Sequence, residues 1–233
     1  MTYFHATGKA TNVNNTRVDL WDSGSAYVFP PAGGIQMQVV SSSANDTFNG
    51  TGSRTVDLHY LDHNYNTQHI IITMSGTTPV TTVPTDILRV QYFHTSSSGS
   101  SGLSAGNIVL QSVGGGVTYA QINAGYNTSR QGTFTMPDGM VGYITKWHGS
   151  SGTTTGTHYT EFELRMTQHE DEVYPVFLFQ EHLGCLNSGR DMCFEIPLKV
   201  AARVDIKISV ISDASNANAV CVGGFMGWYQ PIN

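Results

Sequence analysis

The sequence predicts an all-β protein, an antiparallel β-sandwich of jelly-roll-like kind, on three observations. Apolar residues recur at a period of two in run after run. Clusters of Ser, Thr, Asn, Gly and Pro separate those runs. No apolar stripe at helical spacing lasts beyond a turn or two. With 233 residues the chain suits one large β domain or two small ones.

Residues 1–17 are polar and Asn-rich and are expected to form an N-terminal arm. Val18-Asp19-Leu20-Trp21 is a short alternating segment, and Ala26 to Phe29 runs into the turn Pro30-Pro31-Ala32-Gly33-Gly34. Ile35 to Val40 alternates as a half-buried strand, Ser41 to Ser53 has loop composition, and Thr55 to Leu61 alternates again. Gln68 to Met74 and Pro79 to Val83 flank the turn Ser75-Gly76-Thr77-Thr78 as a hairpin. Asp86 to Phe93 reads as a strand, Thr95 to Gly106 as a flexible Ser/Gly loop, and Asn107 to Gln111 as a strand closed by Gly114-Gly115-Gly116.

The second half continues in the same way. Tyr119 to Ile122, Thr133 to Met136, Val141 to Trp147 and Tyr159 to Met166 are strands by alternation or apolar content. Tyr174 to Gln180 is apolar on both faces, which suits a buried or edge strand around Pro175. Met192 to Ile196, Val204 to Val210 and Ala219 to Tyr229 complete the set. A weak echo links Phe29 to Ser43 with Phe134 to Gly152, each a turn, a strand and a Ser-rich loop. The expected organisation is therefore an arm at 1–17 and two tandem sandwiches at 18–118 and 119–233, or else one larger sandwich over 18–233.

Composition narrows the class of function. Charged residues are 12% of the chain, about half the roughly 25% usual for soluble domains, and hydroxyl and amide side chains take their place. The net charge is -6 without any basic run, which excludes a surface built against phosphate and so a nucleic-acid partner. No apolar run approaches the ~20 residues of a membrane span. The start lacks the basic and apolar regions of a signal peptide. The three cysteines, Cys185, Cys193 and Cys221, suit free thiols in a reducing cytoplasm better than a disulfide framework. The sequons at Asn14, Asn45, Asn49 and Asn127 are what an Asn- and Thr-rich chain produces by chance.

No residue pattern specifies chemistry. His59, His63 and His69 cluster with Asp57 and Asp62, and residues 59 and 63 share a strand face, but the spacing matches no zinc signature. Cys185, Cys193 and His182 lack a fourth ligand, and Asn45, Asp46 and Asn49 lack the terminal acid of a calcium loop. Gly114-Gly115-Gly116 opens no helix and cradles no phosphate. Glu161 and Glu163 share a strand face, which reads as a solvated face rather than a glycosidase pair. His169-Glu170-Asp171-Glu172 reads as a solvated turn. The expectation is a non-enzymatic protein without metal or cofactor.

Three segments carry a resemblance: Val39 to Val56 (VVSSSANDTFNGTGSRTV), Thr133 to Tyr143 (TFTMPDGMVGY) and Val204 to Trp228 (VDIKISVISDASNANAVCVGGFMGW). Together they resemble virion structural proteins of tailed bacteriophages, particularly those of aquatic phages. The likeness spans most of the chain and consists of turn-and-strand grammar. It implies an all-β homo-oligomer, a trimer being favoured, bound to a major capsid protein or another virion protein and made in the host cytoplasm. It carries over no catalytic residue. A capsid decoration or cement protein is the leading expectation; the alternative is a neck, tail or fibre component that binds carbohydrate. Trp21, Trp147, Trp228 and Tyr229 are the candidate interface residues, because the chain holds more aromatics than one core takes up by alternation.

Overall fold

The chain opens with a strand, β1 (Thr2–Val13), in which Phe4, Ala6, Gly8 and Ala10 turn inward and His5, Thr7 and Lys9 turn outward. The computed structural model describes residues 1–153, 156–167 and 176–232, and the described residues contain no helix. After β1 come β2 (Val18–Asp19), β3 (Met37–Ser41), β4 (Ser53–Leu61), β5 (Thr67–Thr73), β6 (Val80–Thr81), β7 (Arg89–Ser98), β8 (Ile108–Ser112) and β9 (Thr118–Ile122). Then follow β10 (Thr133–Thr135), β11 (Met140–Gly152), β12 (Tyr159–Thr167), β13 (Phe177–Leu186), β14 (Gly189–Val200), β15 (Asp205–Ser212) and β16 (Ala219–Pro231). All paired strands are antiparallel, as the alternation predicts.

The chain forms two compact units, and the sequence of one interrupts that of the other: Met1–Tyr27 with Arg130–Asn233, and Val28–Ser129. The expected boundaries at 17 and 118 give way to this arrangement. Residues 1–17 are not an arm, because β1 pairs with β16 from Thr2↔Tyr229 to Val13↔Ala219 and buries Phe4, Ala6, Ala10 and Val13. The tandem expectation fails because the first and last strands of the chain close one sheet.

In the discontinuous unit one sheet has the order β1-β16-β11-β14 and the other β10-β15-β12-β13, with β2 beside β15. Numbered along the chain, its eight principal strands run 1-8-3-6 in one sheet and 2-7-4-5 in the other. That order is two interlocked Greek keys, a jelly roll. The sheets meet through aromatics: the Phe4 and Phe134 rings stack at 4.7 Å, and Phe225 stands edge-on to Phe4 at 6.2 Å. Trp147 and Phe162 are fully buried in the same unit. Gly8 is required where β1 passes the β2 segment, since a Cβ there would lie 2.0 Å from the Leu20 carbonyl oxygen. The buried Asp19 carboxylate ties β2 to β15, accepting from Lys207 Nζ at 3.0 Å, Ser209 Oγ at 2.6 Å and the Tyr27 amide at 2.7 Å.

The inserted unit is a smaller sandwich with sheets β6-β3-β8-β9 and β5-β4-β7. Its core is mainly aliphatic, with Met37, Val39, Leu58, Ile87, Ile108 and Leu110 all fully buried. The long polar loop 41–53 is built on one buried carboxylate. Asp46 accepts from the Ser53 and Ala105 amides with one oxygen, at 2.7 and 2.8 Å. Its other oxygen accepts from Ser41 Oγ at 2.6 Å and the Gly106 amide at 2.8 Å. The Ser/Gly stretch 95–106 is consequently held in place rather than loose: β7 runs through Ser98, and the Gly99 amide donates to Gly52 O at 2.7 Å. Gly52 itself is obligatory, because a Cβ there would come 2.1 Å from Asp46 Oδ1.

Candidate functional site

In β4 the residues Val56, Leu58 and Tyr60 face the core, so Asp57 and His59 must face outward. The sheet then sets their neighbours. His59 lies opposite His69 on β5 and Tyr92 on β7, and Asp57 lies opposite His94 on β7. Three imidazoles therefore stand side by side across three strands, with His69 and His94 each roughly parallel to His59, at 5.6 and 5.7 Å between ring centroids. Tyr92 meets His59 edge-on at 6.2 Å. Asp57 Oδ2 is 3.3 Å from His59 Nε2, and its Oδ1 is 3.6 Å from His69 Nδ1. The second separation is too long for a hydrogen bond, and Oδ1 is buried without a partner. Ligand atoms of Asp57, His59 and His94 all lie within 4.8 Å of one another.

Sequence reasoning placed His59, His69 and Asp57 together and missed His94, which stands 35 positions after His59 in the chain. Only the β4–β7 pairing brings it in. His63 and Asp62 do not join the cluster. His63 pairs with Asp86 at 2.7 Å, and Asp62 organises the β4–β5 turn by accepting from the Asn64 and Asn66 amides. Burial alone would raise the Asp62 carboxyl, but the hydrogen bonds from Asn66, Gln68 and Asn64 hold it below its ordinary value.

The other candidates separate in the same way. Cys185 is buried, Cys193 and His182 are exposed, and the three do not gather into a group of metal-ligating atoms among the described residues. Cys221 is also buried, and burial pushes its thiol up to about 12, with the Cys185 thiol adding to the effect. Glu163 is engaged by Arg17 at 2.7 Å and lies 3.8 Å from Arg165, while Glu161 stays partly exposed. Asp46 serves the loop, as described above. Gly114, Gly115 and Gly116 all have positive φ and form the β8–β9 turn. The run His169 to Glu172 and Tyr174-Pro175 lie outside the described residues.

Two of the four expected interface aromatics are core residues. Trp147 is fully buried and donates through Nε1 to Met192 Sδ at 3.4 Å. Trp21 is buried edge-on to Tyr27 and donates to Ser25 O at 2.7 Å. Strand alternation gives the reason for the other two. Tyr229 turns inward toward Phe4 and Phe134, and burial raises its phenol. Trp228 turns outward, and its ring stacks on Tyr143 at 4.3 Å. Its partner on the other side is Tyr3, so Tyr3, Trp228 and Tyr143 make a row across β1, β16 and β11. Exposed apolar side chains also lie on the edge strands β13 and β14, where Phe179, Leu186 and Ile196 are 52%, 57% and 85% exposed.

No family model matches the chain, and no curated protein matches it. Among solved structures, a chain from the crystal structure of the T13 IBDV viral particle aligns over 99% of this chain and 74% of that one, at 8% identity and a TM-score of 0.25. A TM-score this low carries no argument about fold or function.

Proposed function

We propose that this chain is a structural protein of a virion, acting as a homo-oligomeric capsid decoration or cement protein of a tailed bacteriophage. The observation that supports this reading best is the outward aromatic row, with the exposed apolar side chains of β13 and β14, on a jelly roll in a chain with few charges. Such rolls recur in capsid shells and in lectins, but a fold alone does not fix a function. Exposed apolar residues on the edge strands β13 and β14 add weight, because an open edge offers both main-chain hydrogen bonds and side-chain anchors to a neighbour. The partner would be the major capsid protein or a second copy of this chain.

The test is to follow oligomeric state and particle binding in Ile196→Lys and Phe179→Glu. Loss of the oligomer or of particle binding, at an unchanged unfolding temperature, is the expected result. A monomer that decorates no particle even without substitution rejects the reading.

A specific observation favours a second reading, a carbohydrate-binding component of a neck, tail or fibre. The row Tyr3, Trp228 and Tyr143 is an aromatic platform on which a sugar ring can stack. Trp147, buried in the core, cannot serve that role. Glycan-array binding that disappears in Trp228→Ala favours this second reading, and no binding across the array removes it.

A further inference from the structure

The cluster on the outer face of β5-β4-β7 has no part in either reading above, and its geometry points to a ligand. Two imidazoles and a carboxylate are the donor set of open three-ligand metal sites. In a tetrahedral shell with metal–ligand distances of about 2.0–2.1 Å, ligand atoms stand about 3.3 Å apart. Asp57 Oδ2 and His59 Nε2 already hold a separation of 3.3 Å. All three residues keep their ligand atoms within 4.8 Å, so small side-chain rotations close the set. The backbone dictates this arrangement: Asp57 and His59 are two apart on one strand face, and His94 is the cross-strand partner of Asp57.

A second observation bears on the same point. Asp57 Oδ1 is a buried carboxylate oxygen that accepts no hydrogen bond. Such an orphan is costly, and a bound cation is one of the few things that resolves it. A plain ion pair with His69 reaches that oxygen only at 3.6 Å, too long for a hydrogen bond, and does not account for His59 and His94 gathering beside the same carboxylate. Imidazole nitrogen selects zinc-like transition ions over calcium or magnesium, which take oxygen shells.

We propose that Asp57, His59 and His94 bind one divalent transition-metal ion of the zinc type, pinning β4 to β7 and leaving one coordination position open to solvent. His69 stays outside the three-ligand set, beside the second oxygen of Asp57.

The test uses the full chain, stripped with chelator and titrated with zinc ion alone in a calorimeter. The expected result is one zinc per chain, with an unfolding temperature that rises with zinc concentration. His94→Gln, at a partly exposed ring, should keep the fold by circular dichroism and weaken zinc binding at least about tenfold. Asp57→Asn should do likewise. His63→Gln, in the same unit but paired with Asp86, should bind zinc as the unsubstituted protein does. Absence of zinc uptake by the unsubstituted protein overturns the proposal, as does uptake that His94→Gln leaves unchanged.

Discussion

The two units use the same strand-and-turn grammar but are held together differently. The jelly roll has strands of up to 13 residues and closes its sheets with large rings: Phe4 on Phe134, with Trp147, Phe162 and Phe225 buried beside them. Of its buried carboxylates, Asp19 sits by Lys207 and Glu163 by Arg17, while Asp205 accepts from the Thr135 hydroxyl. The inserted sandwich has a mainly aliphatic core and anchors its long loops to Asp46, which uses three backbone amides and a hydroxyl and no cation. Burial of aromatic area stabilises the first unit. In the second, a network of donors around one anion carries the polar loops that area cannot.

The largest expected effect comes from deleting residues 1–13. The jelly roll should then lose its cooperative unfolding transition, because β1 supplies one strand of a sheet and the buried Phe4. Residues 28–129 expressed alone should keep theirs, since that unit has its own core. If the isolated segment does not fold, the two units are not independent and the contrast breaks.

Trp147→Ala is expected next, at about 3–5 kcal/mol of lost stability in denaturant melts, the usual range for emptying a large buried ring site. Asp46→Ala should cost about 3 kcal/mol, because four donors lose a charged acceptor. Chelator-free melts should assign that loss to the inserted unit; a loss in the jelly roll would count against the division.

Acid sharpens the comparison further. Asp138, Asp191 and Asp213 in the jelly roll are held below their ordinary value, first by the hydrogen bonds from Arg203, Lys146 and the Tyr159 amide respectively. The inserted unit has Asp62 in the same condition. A depressed carboxyl contributes stability that is fully present above its unfolded value near 3.8 and is lost as pH falls through the lower folded value. Stability should therefore decline below about pH 4, more steeply in the jelly roll than in the isolated segment 28–129. These side chains are exposed, so salt should flatten the difference.

The smallest effect is chemical and leaves stability unchanged. A thiol reagent should label Cys193 in the native protein, and Cys185 and Cys221 only after denaturation. Rapid labelling of all three would mean that the jelly-roll core opens readily.

Much of the fold was legible in the sequence because period-two alternation is local. Thr55 to Leu61, Tyr159 to Met166 and Val204 to Val210 fall within or against strands β4, β12 and β15. β1 was not legible: its inward positions after Phe4 are Ala, Gly and Ala, whose small side chains give a weak apolar signal. The Ser/Gly stretch 95–106 looked flexible because composition does not reveal that Asp46, about 60 positions away, collects its amides. The candidate site was half legible. Asp57 and His59 share a face by alternation, but His94 enters through pairing, and the turn takes His63 away to Asp86.

The sequence by itself determined the all-β class and the placing of most strands and turns, and it holds no basic run and no helical stripe beyond a turn or two. Each follows from side chains within a few residues of one another. Only the tertiary structure decided that one sandwich is an insertion in the sequence of another, that Trp21 and Trp147 are core while Trp228 faces out, and that three histidines meet one aspartate. Those outcomes depend on which strands pair. Pairing joins residues 2 and 229 as readily as neighbours, because the buried area gained repays the entropy of closing so long a loop.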